Sequence, residues 1–147
     1  MMATPDVHQR DRAGRTPLHY AAGDGKLDEV KALIAAGAEI DAREDTGQYT
    51  PLMFAAQRDD NIDIITALVE AGADVNLTNS NGETPLFILT ASPALNGSAG
   101  AIIIRYLLDH GADPHIKAAD GDTVIDYVKF VNDKAGRRAA FGSLLDD

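Results

Sequence analysis

The sequence contains no cysteine among its 147 residues. This absence excludes disulfide bonds, thiolate zinc sites and a cysteine nucleophile. Long hydrophobic runs are also missing, since no apolar stretch approaches the ~18 residues that a membrane-spanning helix needs. Residues 1–8 lack both a basic region and an apolar region, which argues against a signal peptide. We therefore expect a cytoplasmic protein that does not bind a membrane.

Positive charge is scarce, with 13 Lys and Arg residues against 23 Asp and Glu residues and a net charge of −10. An acidic protein repels phosphates, so we expect no nucleic-acid ligand. Residues 43–77 hold seven acids and two arginines, which gives −5, half of the total. Such a surface attracts a basic protein surface, but acidic residues also keep ordinary proteins in solution. The acidity leaves both interpretations open.

A block that begins Thr16-Pro17-Leu18-His19 recurs along the chain. Later copies begin Thr50-Pro51-Leu52 and Thr84-Pro85-Leu86, and an altered copy begins Thr123-Val124-Ile125. The leading threonines lie 34, 34 and 39 residues apart. A fixed period of this size indicates an array of stacked structural repeats.

Each copy of the block contains the signals of two helices. Thr16 suits an N-cap and Pro17 suits the first helical position, where no amide donor is needed. The glycines within residues 23–25 predict the end of this first helix. A second helix follows, with a C-terminal cap at Gly37 and an apolar stripe formed by Val30, Leu33 and Ile34.

Residues 14–41 carry a glycine, the sequence Thr-Pro-Leu-His-Tyr-Ala-Ala, a further glycine, the second helix and then Gly-Ala-Glu-Ile-Asp. This order resembles the ankyrin repeat almost letter for letter, and the second copy matches it through Val75-Asn76. The resemblance covers about residues 10–145. It implies an all-α solenoid of stacked antiparallel helix pairs with projecting β-hairpin-like loops.

We predict a flexible lead-in over residues 1–9 and one ankyrin-repeat domain over residues 10–147. The repeats are expected at about 10–42, 43–77, 78–117 and 118–147. The last repeat lacks the proline and histidine of the block, and its second helix, near residues 134–145, contains two arginines. A more polar final repeat suits the end of a solenoid, because that end faces water.

Two copies depart from the common length. The second loop has one residue more than the first, and we assign the extra residue to Tyr49. The third repeat has six extra residues around positions 92–100, between its two helices. Their small and polar character predicts a mobile loop or a helix extension.

No candidate for catalysis or metal binding is well supported by the sequence. The counterparts of His19 are Met53, Phe87 and Asp126, so we expect His19 to tie neighbouring turns together. His110, Asp113 and His115 lack the spacing and the fourth ligand of a zinc site. We predict no catalytic residue, no metal and no cofactor. The family resemblance makes Asn76 a candidate for hydroxylation.

The resemblance implies that a partner protein binds the loop tips and the exposed side of each first helix. The corresponding residues are Arg12, Ala13, Arg15, Asp24, Asp45, Thr46, Gln48, Tyr49, Arg58, Ser80, Asn81, Glu83, Ala119, Asp120 and Asp122. The position after the histidine is expected to lie mainly in the core between repeats, and it is occupied by Tyr20, Phe54, Ile88 and Tyr127.

Together these observations predict a monomeric, non-enzymatic protein–protein interaction module, with a basic surface on its partner. The alternative is an immunity-type or regulatory inhibitor that occludes the active site of a toxin or enzyme.

Overall fold

A computed structural model describes residues 6–58, 60–92, 97–130 and 137–145, which form short helices and connecting turns. The first helices of the repeats are α1 (Pro17–Gly23), α3 (Pro51–Ala55), α5 (Pro85–Ala91) and α7 (Val124–Phe130). The second helices are α2 (Leu27–Ala35), α4 (Ile62–Glu70), α6 (Gly97–Asp109) and α8 (Arg137–Phe141). A 3₁₀ turn over Gly142–Leu145 follows. No strand occurs within these described ranges, which confirms the all-α class.

The helices stack in two layers. In one layer α1 contacts α3, α3 contacts α5 and α5 contacts α7, whereas the other layer contains the contacts of α2 with α4, α4 with α6 and α6 with α8. Each first helix also packs on its own second helix. The predicted solenoid of helix pairs is therefore confirmed.

Threonine caps start the first helices, as the sequence predicts. The backbone of Thr16 and of its two direct counterparts is extended, and each side-chain oxygen accepts the amide hydrogen three residues later. These donor-to-oxygen distances are 3.5 Å for His19, 3.3 Å for Met53 and 3.2 Å for Phe87. Each cap contributes about 1 kcal/mol to stability.

His19 joins the start of its own helix to the next repeat. Its Nδ1 accepts the amide hydrogen of Thr16 at 3.0 Å, so the ring proton lies on Nε2, which donates to the carbonyl oxygen of Tyr49 at 2.9 Å. Met53 repeats only the first contact, since its Sδ accepts from Thr50 at 3.5 Å. Burial lowers the pKa of His19 below its ordinary value, although the Tyr49 carbonyl and the charge of Glu44 oppose this shift.

The leucine that follows each proline supplies the centre of the core. Leu18, Leu52 and Leu86 are buried, and Ile125 takes the same place in the last repeat. Burying side chains of this size contributes about 1.5–3 kcal/mol each. In the other layer, the buried apolar residues include Val30, Leu33, Ile64, Ile65, Leu68, Ile103, Ile104 and Leu107.

Tyr20 lies at the surface and not in the core between repeats. It is 45% exposed, whereas Phe54, Ile88 and Tyr127 at the equivalent positions are half-buried. The hydroxyl of Tyr20 donates to Asp11 in the preceding loop, so the polar end of the ring is held at the surface. The prediction is wrong for Tyr20, because the hydrogen bond to Asp11 keeps its hydroxyl group at the surface.

Described residues near both ends of the chain pack against the stack. Val7, within the predicted lead-in, is buried in the core cluster, whereas residues 1–5 lie outside the described residues. At the other end Phe141 is buried, and Leu144 and Leu145 pack against the core. Residues 134–136 of the predicted last helix also lie outside the described residues. The predicted domain and repeat boundaries stay predictions.

The insertion in the third repeat lengthens its second helix. Helix α6 contains 13 residues, against nine in α2 and nine in α4. Its additional turn begins at Gly97, which agrees with a helix extension over the later part of the insertion. Residues 93–96 lie outside the described residues.

The role of His19 can be tested by replacing it with the residue of the second repeat. We expect His19→Met to lower the free energy of unfolding by about 1 kcal/mol, because the Tyr49 carbonyl loses its donor. The depressed pKa of His19 gives stability that is present above pH 6.5 and is lost as the pH falls through the folded-state pKa. The variant should lose this part of the pH dependence.

Urea titrations of both proteins over a series of pH values measure these effects. The same replacement at exposed His115 should change stability little at neutral pH. An equal pH dependence in wild type and His19→Met would contradict the assigned role.

Candidate protein-binding face

The loops between repeats form a continuous row. The amide of Asp45 donates to the carbonyl of Ala13 at 2.7 Å, and two further contacts of the same kind, both 2.8 Å long, join Ser80 to Gly47 and Ala119 to Asn81. Each loop is thus fixed to the one before it. The predicted residues that this row exposes are Arg12, Asp45, Thr46, Gln48, Ser80, Asn81, Ala119, Asp120 and Asp122. Ala13 and Glu83 are half-buried there.

The second loop shows that Tyr49 is not the inserted residue. In the other loops a backbone hydrogen bond joins Asp11 to Arg15, Asn79 to Glu83 and Ala118 to Asp122. The matching bond here runs from the amide of Glu44 to the carbonyl of Tyr49 at 3.0 Å. Tyr49 therefore takes the place of Arg15, and the extra residue lies earlier in the turn.

Gln48 explains why the spacing misplaces the insertion. Its φ of +61° lies in the left-handed region, where the equivalent Gly14 has a φ of +76°. A glycine normally occupies such a position because it has no Cβ. Since the sequence places its glycine one position earlier, at Gly47, an alignment on glycine makes Tyr49 appear additional.

The carboxylate of Glu44 organises this longer turn. Its Oε1 accepts from the amides of Gly47 at 2.7 Å and Tyr49 at 3.1 Å, and its Oε2 accepts from the amide of Thr46 at 2.9 Å and from the Thr46 hydroxyl. Burial raises the pKa of Glu44, but these hydrogen bonds outweigh burial and lower it from 4.5 to about 2. Glu44 is therefore a structural carboxylate.

A groove lies between α1 and α3, beside the loop row. Tyr20 and Phe54 line it, and the guanidinium carbon of Arg15 lies 6.0 Å from the centre of the first ring and 5.4 Å from the centre of the second. The hollow has a volume of about 350 Å³, and Asp24 and Arg58 also line it. The predicted residues Arg15, Asp24 and Arg58 thus meet in one groove.

Tyr49 extends this surface to the second loop. Its ring centre lies 5.9 Å from that of Phe54, and an adjoining hollow of about 220 Å³ is lined by Arg15, Tyr49, Phe54 and Glu44. Tyr49 is half-buried, so its ring packs on the groove wall as well as facing solvent. We call the set Tyr20, Arg15, Phe54 and Tyr49 the aromatic–arginine row.

Sequence reasoning identified Arg15 and Tyr49 but missed the exposed ring of Tyr20 and the wall formed by Phe54. The repeat position alone predicts that both residues lie mainly in the core between repeats. Asp11 was also missed, although it holds the Tyr20 hydroxyl. An Asp nine residues before a tyrosine is not a local sequence pattern that predicts this contact.

The remaining candidates take part in local structure. The side chain of Asn76 donates to the carbonyl of Gly111 at 3.0 Å and accepts from the amide of Asp113 at 2.8 Å, so it links the second and third repeats. Its hydroxylation stays a prediction. The ring of His110 stacks on Tyr106 with 4.0 Å between centres. Across the part of the chain that the structure describes, no group of three or more His, Asp or Glu residues could hold a metal ion.

No helix among the described residues combines the length and the apolar character required to cross a bilayer.

Stacked helix pairs and a row of linked loops define a repeat solenoid. The family described as ankyrin repeats (3 copies) matches residues 1–79 and 52–128. The chain belongs to the ankyrin repeat family.

Curated relatives agree with this assignment. A putative ankyrin repeat-containing protein of Treponema pallidum (strain Nichols) is 36% identical over 124 residues, which is 84% of this chain and 39% of the relative. Human protein phosphatase 1 regulatory subunit 27 is 55% identical over 42 residues, 29% of this chain and 27% of that protein. Alpha-latrotoxin-Lg1a of Latrodectus geometricus is 40% identical over 53 residues, 36% of this chain and 4% of the toxin. The chain spans well under half of each relative.

The structural role of Glu44 gives a prediction. The Glu44→Gln replacement puts a side-chain NH2 group, which donates hydrogen bonds, next to backbone amides of the turn that also donate. We expect the free energy of unfolding to fall by about 1–3 kcal/mol at neutral pH. Because the folded-state pKa is lowered, the stability that Glu44 contributes is present above pH 4.5 and is lost as the pH falls towards 2. The variant should therefore show a weaker acid destabilisation.

Urea unfolding followed by circular dichroism between neutral and acidic pH measures both effects. Glu70→Gln, at the exposed end of α4, is the matched control and should leave stability nearly unchanged. Equal stability of Glu44→Gln and wild type would show that the turn does not depend on this carboxylate.

Proposed function

We propose that this chain is a non-enzymatic module that binds a partner protein through its loop tips and the inner face of its first two repeats. The aromatic–arginine row is the observation that carries the proposal. Tyrosine and arginine are enriched among the residues that dominate binding energies at protein interfaces, and this row presents two tyrosines and an arginine side by side. The linked loops place further polar groups next to this row.

The charge of the loops supports a partner with a basic surface. Asp45, Asp120 and Asp122 are exposed along the loop row, and the whole chain carries a net charge of −10. Opposite potentials speed association and favour the correct partner over others. Arg12 and Arg15 interrupt the acidic row at the first repeat, so the partner's basic surface is expected to meet the later loops.

The relatives support binding in general and name no partner for this chain. One relative is described as a regulatory subunit of protein phosphatase 1, which agrees with a role in binding another protein. Its similarity covers 42 residues, so we do not transfer its partner. The monomeric state and the cytoplasmic location stay predictions, as does the alternative of an inhibitor that occludes an active site.

The contribution of the second loop can be measured by changing two of its residues together. We expect Tyr49→Ala with Asp45→Asn to weaken binding of the natural partner by about tenfold, or about 1.4 kcal/mol, because an aromatic anchor and a complementary charge are lost. The partner is first captured from native lysate and identified by mass spectrometry, and its affinity is then measured by biolayer interferometry.

The matched control is Asp28→Asn, an exposed acid of α2 in the other helix layer. It should bind the partner like wild type. Unchanged affinity of the double variant would remove this face from the proposal. Loss of the partner's own activity on binding would favour the inhibitor alternative.

Salt dependence tests the basic partner surface. If acidic loops meet basic residues, the affinity should fall steadily as sodium chloride increases, because ions screen exposed charge pairs. Asp120→Asn with Asp122→Asn should reduce this slope, whereas Asp28→Asn should not. An affinity that is independent of salt would contradict a basic partner.

A further inference from the structure

One nitrogen of the Arg15 guanidinium has no hydrogen-bond partner among the described residues. This nitrogen is Nε, and it is buried. The ion pairs formed by these residues involve other cations, namely Arg10, Lys26, Arg58 and Arg105. A buried donor without an acceptor costs about 1–3 kcal/mol, so an acceptor supplied from outside has a clear energetic gain.

Three carboxylates near the groove are already bound to other donors. Asp11 accepts from the amides of Ala13 at 2.9 Å and Arg15 at 3.0 Å and from the Tyr20 hydroxyl. The hydrogen bonds of Glu44 serve its own turn. Asp60 holds Arg58 through two hydrogen bonds of 2.9 and 2.8 Å. None of these three acids pairs with the Arg15 guanidinium.

The position of Arg15 favours binding of an anion. The guanidinium carbon lies 6.0 Å from the ring centre of Tyr20 and 5.4 Å from that of Phe54, and Arg15 lines both hollows. Charge-assisted hydrogen bonds to carboxylates are stronger at a half-buried side chain such as this one than in water. The planar head can also donate two parallel hydrogen bonds to the two oxygens of a carboxylate.

We propose that an Asp or Glu side chain of the partner protein enters the groove between α1 and α3 and accepts hydrogen bonds from Arg15. This inference rests on the proposed function, and it names the chemistry of one anchor. A singly charged carboxylate suits a chain of net charge −10 better than a phosphate, whose greater charge would be repelled more strongly. The ring walls of Tyr20 and Phe54 contact the methylene groups of the entering side chain.

The carboxylate of Asp24 in the groove suits a partner whose surface is mainly basic. Asp24 lines the same hollow and is exposed. A backbone amide or a basic side chain of the partner, next to the entering carboxylate, can donate a hydrogen bond to Asp24. The anchor is therefore an acidic residue on a surface that elsewhere complements the acidic loops.

A phage-displayed library of random short peptides provides the probe. Selection on the wild-type protein should enrich peptides with Asp or Glu at one fixed position. For the tightest peptide, changing that residue to Asn or Gln, or changing Arg15→Met in the protein, should each weaken binding about tenfold. The two changes together should weaken it little further, because both remove the same contact.

Two variants control for other effects. Lys31→Met removes an exposed cation of α2 and should bind the peptide like wild type. Arg15→Lys keeps the charge but loses the planar head, so its affinity should lie between those of wild type and Arg15→Met. If Arg15→Met does not fold, as judged by circular dichroism, the other two variants are compared. Weaker peptide binding by Arg15→Lys than by Lys31→Met supports the carboxylate anchor, and equal binding contradicts it.

The outcomes separate this inference from the proposed function. Peptides that lose affinity with Tyr49→Ala, but not with either Arg15 variant, and that share no fixed acid would overturn the carboxylate anchor and leave the binding face in place. Peptides whose affinity depends on none of these residues would overturn both.

Discussion

The whole structure depends on burial of apolar side chains between neighbouring helix pairs. A single pair of helices has too little interior to cover Leu18 or Val30 by itself, so each repeat requires the next one. The Thr-Pro caps make this burial regular, because they start the first helix of each of the first three repeats at the same point relative to its loop. His19 adds a polar link where the first and second repeats meet.

This regular burial also determines where a partner can bind. Stacking covers the faces between repeats, whereas the loop tips and one side of the first helices stay accessible. In the first two repeats the accessible side includes rings and a guanidinium in addition to polar tips. One wall of the groove is the ring of Tyr20, whose hydroxyl donates to Asp11.

Much of the fold could be predicted from the sequence, because helix caps and terminating glycines are local signals that the 34-residue spacing repeats. The errors involve residues whose position depends on contacts elsewhere in the fold. Tyr20 occupies a core position in the repeat pattern, yet a hydrogen bond to another loop holds it at the surface. The glycine spacing makes Tyr49 appear inserted because Gln48 adopts a backbone conformation expected of glycine. The groove was missed for the same reason, since its walls come from two repeats.

The hydrogen bonds between successive loops affect the entropy of association. Loops that are fixed to one another before a partner arrives have few conformations to lose when it binds. A surface of this kind favours docking between nearly rigid bodies, in which the partner meets a shape that already exists. Affinity can then come from a small number of anchoring side chains, because little binding energy is used to order the loops.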